Sequence, residues 1–116
     1  VKPSRRTDIG QKMLGANKVL REFKFSLLDD AARYGDGLDG EKVLLQGVVD
    51  CALIDDDGII IIDFKTDSVK PETIQSITAS YAQQVNIYAD ALSRIFQHPI
   101  KEKYIYYFRT DEYVAV

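Results

Sequence analysis

One cysteine, one histidine, three prolines and no long apolar run are what this 116-residue chain offers in its scarcer categories. Cys51 alone closes no internal disulfide, and a single thiolate holds neither a zinc ion nor an iron–sulfur cluster. So few prolines, beside seven glycines, exclude a collagen-like or low-complexity chain. No stretch reaches the ~18 apolar residues of a spanning helix, so no membrane partner is expected. The opening VKPSRRTDIG carries arginines with no apolar segment behind them and is not a secretory signal. Nothing points to export, and a lone cysteine suits the cytosol. The net charge of −3 argues against a stand-alone nucleic-acid binder working through bulk attraction. The first residue is Val1, not methionine, and the chain is expected to be a piece of a larger protein.

What is present fits one globular domain over residues 1–116. Hydrophobic residues make up 46% and charged residues 28%, a balance that can close a core and is not that of a disordered chain. Asp8 to Val19 places Ile9, Met13, Leu14 and Ala16 at helical spacing, with Thr7 or Asp8 as a cap. Arg21 to Leu28 alternates, with Phe23, Phe25 and Leu27 on one side and Glu22, Lys24 and Ser26 on the other, as in a half-buried strand. Two further strands are expected at Lys42–Ile54 and Ile59–Lys65. A helix follows, beginning between Glu72 and Thr78 and ending near Gln97, where His98-Pro99 stops it. Its apolar stripe is Tyr81, Val85, Tyr88, Ala89, Leu92, Ile95 and Phe96. Lys103–Arg109, rich in aromatic and β-branched residues, reads as a last strand. The order helix-strand-strand-strand-helix-strand gives an α/β fold of the mixed α+β kind, with helices against a small sheet.

The loop between the first two strands fails two motif tests. A phosphate-cradling loop needs a lysine and a hydroxyl residue after its last glycine, but Gly35 to Lys42 reads GDGLDGEK. Its oxygen-bearing residues also miss the calcium-loop spacing. A solvated turn is the expected reading. Asp55-Asp56-Asp57-Gly58 is likewise explained by turn chemistry, as a tight hairpin between the next two strands.

That hairpin brings charge together. If Ile54 faces Ile59 across the turn, Asp50 faces Asp63 and Val48 faces Lys65. Paired residues point to one face, and Asp63 and Lys65, two apart, share it. Two opposed carboxylates repel, and desolvation worsens the repulsion. A divalent cation such as Mg2+ or Mn2+ resolves the conflict, and the lysine beside it would stabilise developing negative charge or hold a water. Such parts suit metal-assisted phosphodiester hydrolysis. The same charges could equally form a surface ion-pair cluster, and a one-residue change in the turn would put Asp50 and Asp63 on opposite faces.

GVVDCALIDDDGIIIIDFKTD, Gly47 to Asp67, resembles the core of the RecB-like nucleases of the PD-(D/E)XK superfamily, with its G-x-x-D, hairpin and D-x-K-T. YAQQVNIYADAL resembles that family's Y-x-x-Q-x-x-x-Y-x-x-A-L helix, and IGQKMLGANKVLREFKFSLL is similar to the corresponding stretch of the AddA (RexA) helicase–nuclease subunits. The resemblance spans about residues 9–110. It implies a restriction-endonuclease-like fold and a Mg2+-dependent DNA exonuclease domain (Mn2+ as a substitute) acting in double-strand-break repair and recombination. Asp50, Asp63 and the backbone carbonyl of Phe64 would bind the metal, Lys65 would orient or activate the water, and Glu22 would be the acidic residue of the R-E-x-x-F strand. Tyr81, Gln84 and Tyr88, on one helix face, would pack beside the site and contact DNA or steady the ligands. Plain core packing would also account for the two tyrosines, whereas a buried Gln84 amide would need partners.

The implied partners are a single DNA strand fed from a helicase and an AddB/RexB-like second subunit, in a bacterial cytoplasm, with ATP used only by the helicase part. Relatives usually carry a histidine on a helix upstream of the R-E-x-x-F strand. His98 cannot be that residue, so the chain is expected to start downstream of that helix, and this piece to be weakly active or inactive alone. A catalytically inactive DNA-binding or docking domain of the same fold is the alternative. A free-standing phage-type or CRISPR-associated exonuclease is disfavoured by the AddA-like stretch and the missing cluster cysteines.

Overall fold

In the computed structural model, which describes residues 6–116 (side chains from Gly10), one five-stranded sheet runs through the domain. The elements are α1 (Arg6–Gly15), β1 (Lys18–Asp30), a 3-10 turn (Ala31–Arg33), β2 (Lys42–Asp55), β3 (Gly58–Lys65), α2 (Ile74–Phe96), β4 (Ile100–Tyr107) and β5 (Glu112–Ala115). Strand order is β1-β2-β3-β4-β5. Only β3 and β4 are parallel. A parallel neighbour needs a crossover, and α2 supplies it.

The expected elements are present with shifted limits. Thr7 and Asp8 lie within α1 instead of capping it, and α1 ends at Gly15, short of Val19. β1 starts three residues earlier than its alternation announced, because β2 is long and β1 pairs along it from Lys18–Ile54 to Asp30–Lys42. Asp55 pairs with Gly58, leaving Asp56 and Asp57 as a two-residue turn. β5 was not expected: it is four residues long, yet Tyr113 and Val114 are buried against β4. α2 stops in a left-handed Gln97 (φ 57°), whose N–H returns to the Ser93 carbonyl.

The sheet is apolar on both faces at its centre. Phe25, Ala52, Ile59, Ile61 and Ile105 pack with Val85, Ala89 and Leu92 of α2. Cys51, Leu53, Ile60 and Ile62 form a second cluster with Tyr106, Tyr113 and Met13 of α1. Ile95, counted in the apolar stripe of α2, is instead 37% exposed.

Alternation breaks at one level. Leu20 and Phe23 both join the α2 side, as do Val49 and Ala52, although strict alternation would separate each pair. Between them stand Glu22, with φ at 50°, and Asp50. The β1–β2 register is the same on either side of this level, so both strands carry the irregularity. The β2–β3 ladder runs only from Asp55–Gly58 to Cys51–Ile62, ending one step before Asp50 and Asp63.

Two contacts lock α2 over the far end of β1 and β2. Asp29 is 3% exposed and accepts hydrogen bonds from Tyr34 Oη (2.7 Å) and the Asp30 N–H (2.8 Å). Arg94 Nη1 stands 2.6 Å from the same carboxylate. The Arg94 guanidinium, ahead of the Tyr34 hydroxyl, holds the Asp29 carboxyl well below the usual carboxylate range. Tyr88 lies over Gly47: a Cβ there would sit 2.7 Å from two ring atoms.

Asp29→Asn is expected to melt below wild type at pH 7. A carboxyl whose folded-state value is depressed stabilises the fold above the ordinary carboxylate range and loses that contribution as pH falls below it. The difference in Tm therefore narrows as thermal melts are taken from pH 7 to pH 3. Gly47→Ala is expected to cost about 1–3 kcal/mol through overpacking. A Tyr88→Ala background should remove most of that cost, which a double-mutant cycle in denaturant reads directly.

Candidate active site

Where the β2–β3 ladder ends, backbone groups are released from pairing and become available to side chains. The Phe64 N–H donates to Asp50 Oδ2 at 2.8 Å, fixing the Asp50 carboxylate beside β3. Of the Phe64 backbone, it is therefore the amide that engages Asp50. Asp63 lies on the α2 face of β3, buried, with its side chain 12% exposed. Lys65, two residues on, reaches back so that Nζ is 3.1 Å from Asp63 Oδ2. The ammonium is thus the ionic partner of this buried oxygen.

Burial pushes the Asp63 carboxyl up to about 6, the neighbouring Asp50 carboxylate adds to the rise, and Lys65 opposes it. These are the effects expected of two carboxylates in one poorly solvated place.

Tyr81 braces Lys65. The ammonium stands 4.2 Å from the centre of the Tyr81 ring. Such a contact holds a cation without neutralising it. Tyr81 Oη donates to both oxygens of Asp67, at 2.9 and 3.0 Å, which ties α2 to the segment just after β3. That hydrogen bond to Asp67 is the first cause of a raised Tyr81 hydroxyl value.

The other expected residues lie at graded distance from this centre. Glu22 is exposed and lines, with Asp50, Phe64, Met13, Arg21 and Cys51, a cleft of about 310 Å³. Gln84 is exposed, not buried, and its Nε2 donates to Tyr88 Oη at 3.1 Å. Tyr88 packs edge-on to Phe25, 5.3 Å between ring centres, so both belong to the Gly47 end of the helix contact. Of the three helix residues, Tyr81 alone touches Lys65. His98 acts through its backbone: its carbonyl accepts from Ser93 Oγ at 2.6 Å at the end of α2.

Sequence reasoning passed over Asp67 and Arg21. Asp67 ends the D-x-K-T-D run, and its partner is a tyrosine 14 residues further on in a helix, a separation that gives no linear signal. Arg21 precedes the break in β1 alternation, which shows only in the folded backbone.

The donor set suits a hard divalent cation. Two carboxylates plus water satisfy magnesium, and a buried carboxyl whose neighbouring carboxylate raises it is a place a cation would ease. Among the described residues, no three His, Cys, Asp or Glu side chains group together, so a cation here would rest on two carboxylates and water.

The comparisons with known proteins agree with this geometry. The family model for the PD-(D/E)XK nuclease superfamily matches residues 4–115. The chain is 35% identical over 120 aligned residues to an ATP-dependent helicase/nuclease subunit of Bacillus cereus (strain AH820), covering 95% of this chain and 10% of that protein. The proteins of the same name from Bacillus cereus (strain B4264), at 36%, and Bacillus anthracis, at 35%, align over the same shares. The chain thus spans about a tenth of the length of these relatives. On the family match over nearly its whole length, the chain belongs to the PD-(D/E)XK nuclease superfamily.

Proposed function

We propose that this domain is the DNA-hydrolysing module of an AddA-like helicase–nuclease, an exonuclease acting in double-strand-break repair and recombination. It takes a single DNA strand delivered by a helicase part, works beside an AddB/RexB-like partner in a bacterial cytoplasm, and leaves ATP to the helicase. The observation that carries the reading is the buried Asp63 carboxyl, set between the Asp50 carboxylate and the Lys65 ammonium at the end of the β2–β3 ladder. An ion pair alone has no use for a second carboxylate that repels the first, which disfavours an inactive domain of the same fold.

Asp50 and Asp63 would hold Mg2+ or Mn2+, with Phe64 at hand between them and water filling the remaining positions. When bound, such a cation polarises a phosphoryl oxygen and makes a coordinated water more acidic. Asp63 must be ionised to accept it. Lys65, beside Asp63, would orient the attacking water and balance charge building on the phosphate oxygens. The water oxygen bonds to phosphorus, the ester P–O bond opens, and the water proton leaves with the departing oxygen. Tyr81 keeps the ammonium in position through the ring contact, while Asp67 fixes the ring. Glu22, on the cleft rim, is placed to carry a water or a metal-bound ligand. Gln84 and Tyr88 steady the helix over Gly47.

No helix among the described residues is long and apolar enough to cross a membrane.

In the intact protein, Asp63→Ala and Lys65→Ala should each lower Mg2+-dependent degradation of single-stranded DNA by at least about a hundredfold, with melting little changed. Wild-type rates in Asp63→Ala would end the nuclease reading. Mn2+ titrations by calorimetry should show affinity falling as pH drops below about 6, with a proton released per ion bound in that range, because the raised Asp63 carboxyl must ionise first. Asp50→Asn should weaken the same affinity at every pH.

A further inference from the structure

Phe108 leaves the end of β4 beside the catalytic strand and is 52% exposed. Its N–H donates to the Lys65 carbonyl at 3.2 Å, so its backbone is pinned to the residue that faces Asp63. Two other rings pack against it. The Phe64 ring lies 5.3 Å away, tilted 52°, and the Tyr106 ring 5.3 Å away at 76°. Phe64 and Tyr106 contact each other edge-on at 6.0 Å, and Tyr106 Oη donates to Asp111 at 2.7 Å. Phe64 in turn lines the cleft that contains Asp50 and Glu22.

We propose that Phe108 is a positioning residue whose exposed ring stacks on a nucleobase of the DNA strand next to the scissile phosphate. The proposal rests on the nuclease reading above and deepens it. The three-ring cluster is already closed on its inner side, with Tyr106 5% exposed. Packing alone therefore does not require the outer ring to be aromatic. A backbone-anchored, half-exposed ring is what sequence-tolerant stacking uses, since every base offers a π-face. The domain also carries a net charge of −3, so it needs a source of affinity for a strand that does not depend on bulk charge. Arg109, next in the chain, is exposed and adds a positive charge beside the ring.

The test uses the intact protein and single-stranded oligonucleotides, with Phe108→Ala, Phe108→Leu and Phe108→Trp compared. Stacking predicts that Ala and Leu raise KM by about tenfold with kcat nearly unchanged, and that Trp restores wild-type KM. A set of oligonucleotides with one abasic residue moved along the strand supplies the second readout. Wild type should show one position near the cut where base removal raises KM, and Phe108→Ala should be insensitive to it. Phe108→Leu behaving as wild type would leave only packing and overturn the proposal, as would an abasic penalty that persists in Phe108→Ala. If Phe108→Ala instead loosens association with a partner protein while KM stays unchanged, the ring contacts protein and the proposal falls. Failure of the nuclease reading is separately visible, because Asp63→Ala would then degrade the same oligonucleotides at the wild-type rate.

Discussion

Two carboxylates set opposite one another where a β-ladder opens are the constraint around which this domain is arranged. Asp50 and Asp63 would each be better solvated apart, and the raised Asp63 carboxyl records the conflict. The fold holds them there with surrounding order. Below them, β3 runs through four consecutive isoleucines, Ile59 to Ile62, buried on both faces. At their level, the Phe64 amide leaves the ladder to hold Asp50. Above them, Lys65 leans back over Asp63 from a seat on Tyr81. An apolar sheet makes the place dry, the end of pairing makes it open, and the Lys65 ammonium keeps it tolerable.

α2 is the beam that keeps this geometry from relaxing. It meets the sheet at three heights. Tyr81 ties down Lys65 and Asp67, Tyr88 closes over Gly47, and Arg94 clasps the buried Asp29 at the far end of β1. The first of these meets the chemistry, and the other two fix where the first can be. Gly47 and Asp50 thus belong to one device although they do different things: the glycine lets the helix approach, and the aspartate uses the strand so positioned. The Glu22 and Asp50 irregularity turns both strands at one level and sets Asp50 at the mouth of the cleft.

Much of this was legible in the chain. Four of the five strands and both helices carried their own periodicity, and the hairpin put Asp50 opposite Asp63 on the condition that Ile54 faces Ile59, a register the structure has. The D-x-K and Y-x-x-Q spacings then led to the family. What stayed hidden depends on contacts between segments distant in sequence. β5 is too short to show a pattern and exists because β4 offers an edge. Tyr81 with Asp67, and Asp29 with Arg94, are pairs whose members carry no mark of each other. Gln84, expected beside the site with Tyr81 and Tyr88, is exposed and donates to Tyr88, because α2 turns that position toward solvent while Tyr88 takes the contact with the sheet. The break in alternation at Glu22 and Asp50 was invisible for a different reason: it occurs in both strands at once, so neither sequence shows a gap.

Everything above turns on Asp50 and Asp63 sharing one divalent cation. Crystals of the intact protein soaked in Mn2+ and measured at a wavelength with strong manganese anomalous signal test this most directly. The expected result is one peak within about 2.3 Å of oxygens from both carboxylates, with Lys65 Nζ drawn away from Asp63. A manganese peak elsewhere, or none while the Lys65–Asp63 approach stays intact, would contradict it.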